Sequence, residues 1–205
     1  MVRALSDRTF QKIFVIFSIL ILFVLVSIPV LIEPSSDISS TIIRYSALTG
    51  FVSLFLASVF SGFTRQIYQL FGRSYVQIHH LFAILGLILV TIHPLTLAVK
   101  VMSIAVFVPD VSSLENFLIL GGRPAIYLIY ISLFFGFARR TLPKYWRFFH
   151  MSIYIALMLA YIHGVLIGTD FANPIIFVLF TIMIGLSLFV LVYKRYVTWK
   201  RKKGD

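Results

Sequence analysis

Residues 13–32 run for twenty positions without a charged side chain, and about 20 apolar residues are what a helix needs to cross roughly 30 Å of hydrocarbon. The pattern recurs. Further apolar runs cover 41–63, 76–99, 146–168 and 174–193, with Arg44 near the start of the first of these. A sixth stretch, 123–138, is less regular because Gly121, Gly122 and Pro124 interrupt its start. The segment 101–120 is apolar in patches but broken by Pro109, Asp110 and Glu115, and it reads as a long external loop at the membrane interface. The sequence therefore predicts an all-α membrane protein. Its architecture is expected to be one six-transmembrane-helix bundle that occupies residues 1–205, with no soluble domain of ordinary size beside it.

Composition agrees. The chain is 60% hydrophobic and 12% charged, whereas soluble domains average about 25% charged residues. A water-soluble single domain and a disordered chain are both excluded. Cysteine is absent. That removes disulfides, thiolate metal sites, iron–sulfur clusters and the covalent attachment of c-type haem.

The net charge of +11 reads as orientation. With the amino terminus inside, 15 of the 18 Lys and Arg residues fall on the cytoplasmic side. They are Arg3, Arg8 and Lys12, the loop residues Arg65, Arg73, Arg139, Arg140, Lys144 and Arg147, and the tail from Lys194 to Lys203. Outside lie Arg44, Lys100 and Arg123, together with the acids Glu33, Asp37, Asp110, Glu115 and Asp170. The positive-inside rule is met at every loop, so both termini are expected to be cytoplasmic in a multi-pass plasma (inner) membrane protein. The basic tail reads as an anchor on anionic lipid, not as a nucleic-acid site. The first apolar run is too long for a signal peptide and is expected to be retained.

Against this background the five histidines stand out, for none lies in a loop. His79, His80 and His93 are in the third run, and His150 and His163 are in the fifth. Ionisable residues inside a membrane are costly and usually functional. Both runs head outward, so His79 and His150 share the inner depth. His93 follows His79 by fourteen residues and His163 follows His150 by thirteen. Each separation is roughly 20 Å along a helix axis. Two cross-helix pairs result, His79–His150 inside and His93–His163 outside. His80 is a rival to His79, being thirteen residues before His93.

A pair of imidazoles with no carboxylate nearby suits haem iron, which takes one axial ligand on each face. Zinc or copper would want three or four ligands at one site. Two non-covalent, bis-histidyl b-type haems are the expected cofactors. Fourteen residues fall only about 40° short of four turns, so His79 and His93 share a helix face. Gly86 lies midway between them, where a missing side chain could admit a macrocycle edge. Thirteen residues leave His150 and His163 about 140° apart on an ideal helix, which calls for a local irregularity. Arg73 and Arg147 lie at the inner level, as partners for haem propionates, for an acidic protein, or as ordinary positive-inside charges. Arg44 and Arg123 are their outer counterparts.

These residues carry a resemblance. His79-His80-Leu-Phe-Ala-Ile-Leu-Gly86, followed by Ile92-His93-Pro94, resembles the third transmembrane helix of the ferric reductase and NADPH oxidase superfamily. Tyr145-Trp-Arg-Phe-Phe-His150, closing with Tyr161-Ile-His163-Gly164, is similar to that family's fifth helix. The resemblance implies a core that binds two haems and passes electrons from a cytoplasmic flavin domain to an outside acceptor. No G-x-G-x-x-G fingerprint occurs here, so the chain is closer to the stand-alone members. These include membrane subunits of periplasmic methionine sulfoxide reductases, which commonly lack an inner histidine at the position His79 fills. The expected function is electron transfer from a separate cytoplasmic flavoprotein or quinol to an extracytoplasmic acceptor such as ferric iron or oxygen. The alternatives are the sulfoxide-reductase type of subunit and a non-haem subunit whose histidines handle quinone or protons or serve structure. A transporter is disfavoured because intramembrane carboxylates and evident inverted repeats are lacking.

Overall fold

The computed structural model describes residues 2–204. Met1 and Asp205 lie outside the described residues, as do the side chains of residues 2–7 and 202, and with them the placements expected for Arg3 and Lys202. Nine α-helices occur among the described residues: α1 (Val2–Ile32), α2 (Ile38–Phe60), α3 (Thr64–Phe71), α4 (Tyr75–Lys100), α5 (Leu114–Ile119), α6 (Gly122–Phe137), α7 (Trp146–His150), α8 (Ser152–Ile167) and α9 (Pro174–Lys203). Single 3₁₀ turns add Ile104–Phe107, Ala138–Arg140 and Thr169–Ala172. No strand occurs among the described residues.

Five helical stretches are long and apolar enough to cross a membrane: Arg8–Ile32, Ile38–Phe60, Tyr75–Lys100, Trp146–Ile167 and Pro174–Arg201. The sequence reading expected six. The remaining stretch, α6, has 16 residues and so a length of about 24 Å, short of the hydrocarbon thickness. The loop read between 101 and 120 contains a 3₁₀ turn and the short α5, and its apolar residues Met102 and Ile104 are 88% and 83% exposed. Neither α3 nor α5 was legible as a helix in the sequence, being only 8 and 6 residues long.

The helix ends carry ordinary punctuation. Asp37 caps α2 by accepting from the amide of Ser40 at 2.9 Å, and Asn173 caps α9 through Ile175 with Pro174 in the first turn. Gly72 ends α3 in the left-handed region at φ 64°, where a side chain would be strained.

α2 is the centre of the bundle. Every residue from 48 to 58 is buried, as expected of a helix apolar all round and covered on all sides. Its hydroxyls turn back on the helix: Thr49 donates to the carbonyl of Tyr45 and Ser53 to that of Thr49. Ser58 meets Ser187 of α9 at 3.0 Å, a hydroxyl pair between helices in an otherwise apolar contact. α4 packs along most of α2, more extensively than any other pair. Small residues allow the close approach, since a Cβ on Gly50 would stand 2.9 Å from a Val90 methyl.

Contacts define the two ends. Arg8 and Gln11 of α1 share a shallow pocket with Gln66 and Gln69 of α3, and Lys194 of α9 donates to Ser61 at 3.1 Å. The early part of α1, α3 and the late part of α9 therefore meet at one end, called here the termini end. At the far end, Arg44 and Asp170 form an ion pair of 2.6 Å with side chains 16% and 7% exposed. Lys100 and Asp37 form a second pair at 2.9 Å, on the surface. The Lys100 ammonium and the Ser40 donors hold the Asp37 carboxyl well below the usual carboxylate range.

Candidate functional site

α4 and α8 carry four of the five histidines, yet they make little contact with each other. α4 leans on α2, and α8 leans on α6. What fixes each imidazole is a backbone carbonyl on the neighbour its helix leans against or on the segment leading into it. His79 Nδ1 lies 2.9 Å from the carbonyl oxygen of Ala57, and His93 Nδ1 lies 3.0 Å from that of Ile43. His150 Nδ1 lies 2.9 Å from the carbonyl oxygen of Ser132, and His163 Nδ1 lies 2.6 Å from that of Ile119. The spacings match. The acceptors on α2 are fourteen residues apart, as are His79 and His93, and the acceptors at Ile119 and Ser132 are thirteen apart, as are His150 and His163.

A carbonyl oxygen can only accept. Each neutral ring must therefore carry its proton on Nδ1 and leave the Nε2 lone pair free. This is the arrangement by which proteins orient metal-binding histidines and raise their basicity. Among the described residues no hydrogen bond engages Nε2 of any of the four rings.

At the termini end the rings of His79 and His150 have centroids 6.2 Å apart and planes inclined by 72°. Two imidazoles that share one metal stand about 6 Å apart, given about 2 Å from metal to each nitrogen and about 1 Å from nitrogen to ring centre. The observed separation fits that donor geometry. At the far end His93 is tied to Ile43, beside Arg44, and His163 to Ile119, the last residue of α5. Among the described residues no group of three or more His, Asp or Glu side chains is gathered, so no zinc-type site of that composition is formed. The His79–His150 pair thus fits a group that takes one imidazole from each of two sides, as haem iron does.

His80 is the less suitable inner residue. It is exposed, its ring lies 5.8 Å from that of His79, and among the described residues no carbonyl fixes its Nδ1. The irregularity expected between His150 and His163 lies at Met151. α7 ends at His150, α8 starts at Ser152, and the amide of Tyr154 reaches back only three residues to the carbonyl of Met151. This tighter step changes the phase of the helix between the two histidines.

Two residues marked in the sequence have well-defined surroundings. Gly86 faces α2. A Cβ there would stand 2.8 Å from side-chain carbons of Leu54, so the glycine serves the approach of α4 to α2. Arg44 is engaged within the protein. Its Nε and Nη2 donate to the Asp170 carboxylate, Nη1 donates to the carbonyl of Glu33 and to Ser35 Oγ, and Nη2 also reaches the carbonyl of Pro29 at 3.3 Å. Its guanidinium ties α1, α2 and the Thr169–Ala172 turn together. Arg123, its expected companion, donates to the carbonyl of Val108 at 2.8 Å.

Arg147 is exposed and lies 5.5 Å over the ring of Trp146, which in turn stands 6.0 Å from His150. Arg73 is exposed in the turn between α3 and α4. Sequence reasoning missed Ser132, whose hydroxyl donates to the carbonyl of His150 at 2.9 Å, and the glycines of α6. A signal for the glycines was present: Gly122 and Gly136 are fourteen residues apart, close to the histidine spacing. Comparison with protein families, with curated proteins and with solved structures finds no match to this chain.

Proposed function

We propose that this chain is a b-type di-haem membrane protein of the ferric reductase-like kind. On this reading it carries electrons from a cytoplasmic flavoprotein or quinol to an extracytoplasmic acceptor such as ferric iron or oxygen. His79 and His150 hold the inner haem, and His93 and His163 hold the outer one. The observation that carries the reading is the common fixing of four histidines by Nδ1–H to a backbone carbonyl, which leaves four Nε2 lone pairs at two depths. A structural histidine needs no such uniformity.

Held by two histidines each, the haems supply outer-sphere one-electron chemistry. The protein's residues do the rest. The carbonyls of Ala57, Ile43, Ser132 and Ile119 orient the rings and keep Nε2 unprotonated. The buried apolar residues of α2 keep water from one side of α4. α6 with the following 3₁₀ turn Ala138–Arg140 reaches about 30 Å, enough for a sixth crossing. The termini end, with Arg65, Arg73, Arg139, Arg140, Lys144 and Arg147, is then the cytoplasmic side of the plasma membrane.

The test is spectroscopic. Purified from haem-replete cells, the protein is expected to be red, to give a sharp b-type α band with dithionite, and to yield about two haems per chain as pyridine haemochrome. A colourless protein overturns the proposal. About one haem per chain would favour the sulfoxide-reductase type of subunit instead.

A further inference from the structure

α6 places a glycine beneath each histidine of the α7–α8 segment. A Cβ added to Gly122 would stand 3.0 Å from Cδ2 and 3.1 Å from Nε2 of His163. One added to Gly136 would stand 3.3 Å from Nδ1 and 3.5 Å from Cε1 of His150. Gly121, beside Gly122, has the carbonyl oxygen of Leu159 at 2.9 Å from its own missing Cβ, one turn before His163.

Backbone freedom does not explain Gly122 and Gly136. Among the described residues Gly72 is the one glycine with positive φ, and the α6 glycines, at the first and the last but one position of that helix, have no such need. What glycine provides there is room for an imidazole. The two seats differ in which ring edge they touch. Gly122 underlies the edge that bears the free Nε2, whereas Gly136 underlies the edge already tied to the Ser132 carbonyl.

We propose that Gly122 and Gly136 are positioning residues that set where the two α8-side histidines stand, and so tune the two haem sites separately. The inference rests on the proposed function above. A Cβ at Gly122 would push Nε2 of His163 by a few tenths of an ångström, against a tolerance of about 0.5 Å for a working ligand set. The Ile119 carbonyl holds the other side of that ring at 2.6 Å, so the imidazole has little freedom to yield. His150 meets a wider gap and is expected to adjust.

The experiment compares Gly122→Ala, Gly136→Ala and Gly185→Ala in the full-length protein. Nothing lies within 4 Å of a Cβ at Gly185, which makes it the control for alanine in a helix. The readouts are haem per chain, the low-spin ferric electron paramagnetic resonance signals and the midpoint potential of each haem. Gly122→Ala is expected to shift one haem's signal and potential, or to lower the content from about two haems to about one, with the other haem unchanged. Gly136→Ala is expected to shift the other haem by less. The inference is overturned if Gly122→Ala leaves both signals as in the unmodified protein, or moves both equally. Should Gly122→Ala not fold, an unchanged potential for both haems in Gly136→Ala overturns it. An unmodified protein without haem fails the proposed function; a haem-loaded one indifferent to both substitutions fails this inference alone.

Discussion

At the far end of the molecule, which holds the Arg44–Asp170 ion pair, His163 is seated between Gly122 and the Ile119 carbonyl. At the termini end, His150 sits at a helix break, backed by Ser132 and flanked by Trp146. Both ion pairs among the described residues lie at the far end. The two levels share one hydrogen-bond chemistry in different mechanical settings. One end is braced by buried charge and a tight glycine seat. The other has hydrogen bonds, a looser glycine seat and a cluster of basic residues.

That contrast can be broken in several ways. The largest effect is expected from the histidines themselves. His163→Ala should remove one haem signal and His79→Ala the other, each leaving about half the haem. Loss of both signals in either variant would mean that the two levels are not independent.

Next comes the brace. Arg44→Met leaves the mostly buried Asp170 carboxylate without its partner, and we expect unfolding in detergent to be easier by about 3 kcal/mol. The double variant Arg44→Met with Asp170→Leu should recover most of that loss, because no buried charge remains. A single variant as stable as the parent would remove the far end's claim to be the braced one.

A smaller effect concerns pH. The Asp37 carboxyl titrates lower in the folded protein than in the unfolded chain, so its contribution is present above about pH 4 and is lost as pH falls below that. Asp37→Asn should flatten the acid side of a thermal-stability profile slightly, and Lys100→Met should do the same. The smallest expected change is His80→Ala, which should keep both haems and shift stability by less than about 0.5 kcal/mol. Loss of the inner signal in that variant would exchange the roles of His79 and His80.

Much of this was legible because a bilayer simplifies the code. Apolar runs of about 20 residues forecast helices, and four of the six expected stretches, those at 13–32, 41–63, 76–99 and 174–193, lie almost wholly within helices α1, α2, α4 and α9. The cost of an ionisable group in hydrocarbon made the histidines conspicuous. The short α3 and α5 were not legible, because one or two turns leave too little periodicity to see. The neighbours of Gly86 and Arg44 were not legible for a related reason. Spacing gives the face of a helix a residue occupies, but not which helix covers that face.

The sequence by itself determined the class of protein, the helical runs, the two depths of histidine and the absence of thiol chemistry. Only the tertiary structure decided which carbonyl receives each Nδ1–H, which rings stand 6.2 Å apart, where the phase slips at Met151, and which glycines lie under the rings. The reason is physical. Hydropathy and the cost of charge in a bilayer act on each segment alone, whereas tautomers, seats and ion pairs arise only where two segments meet.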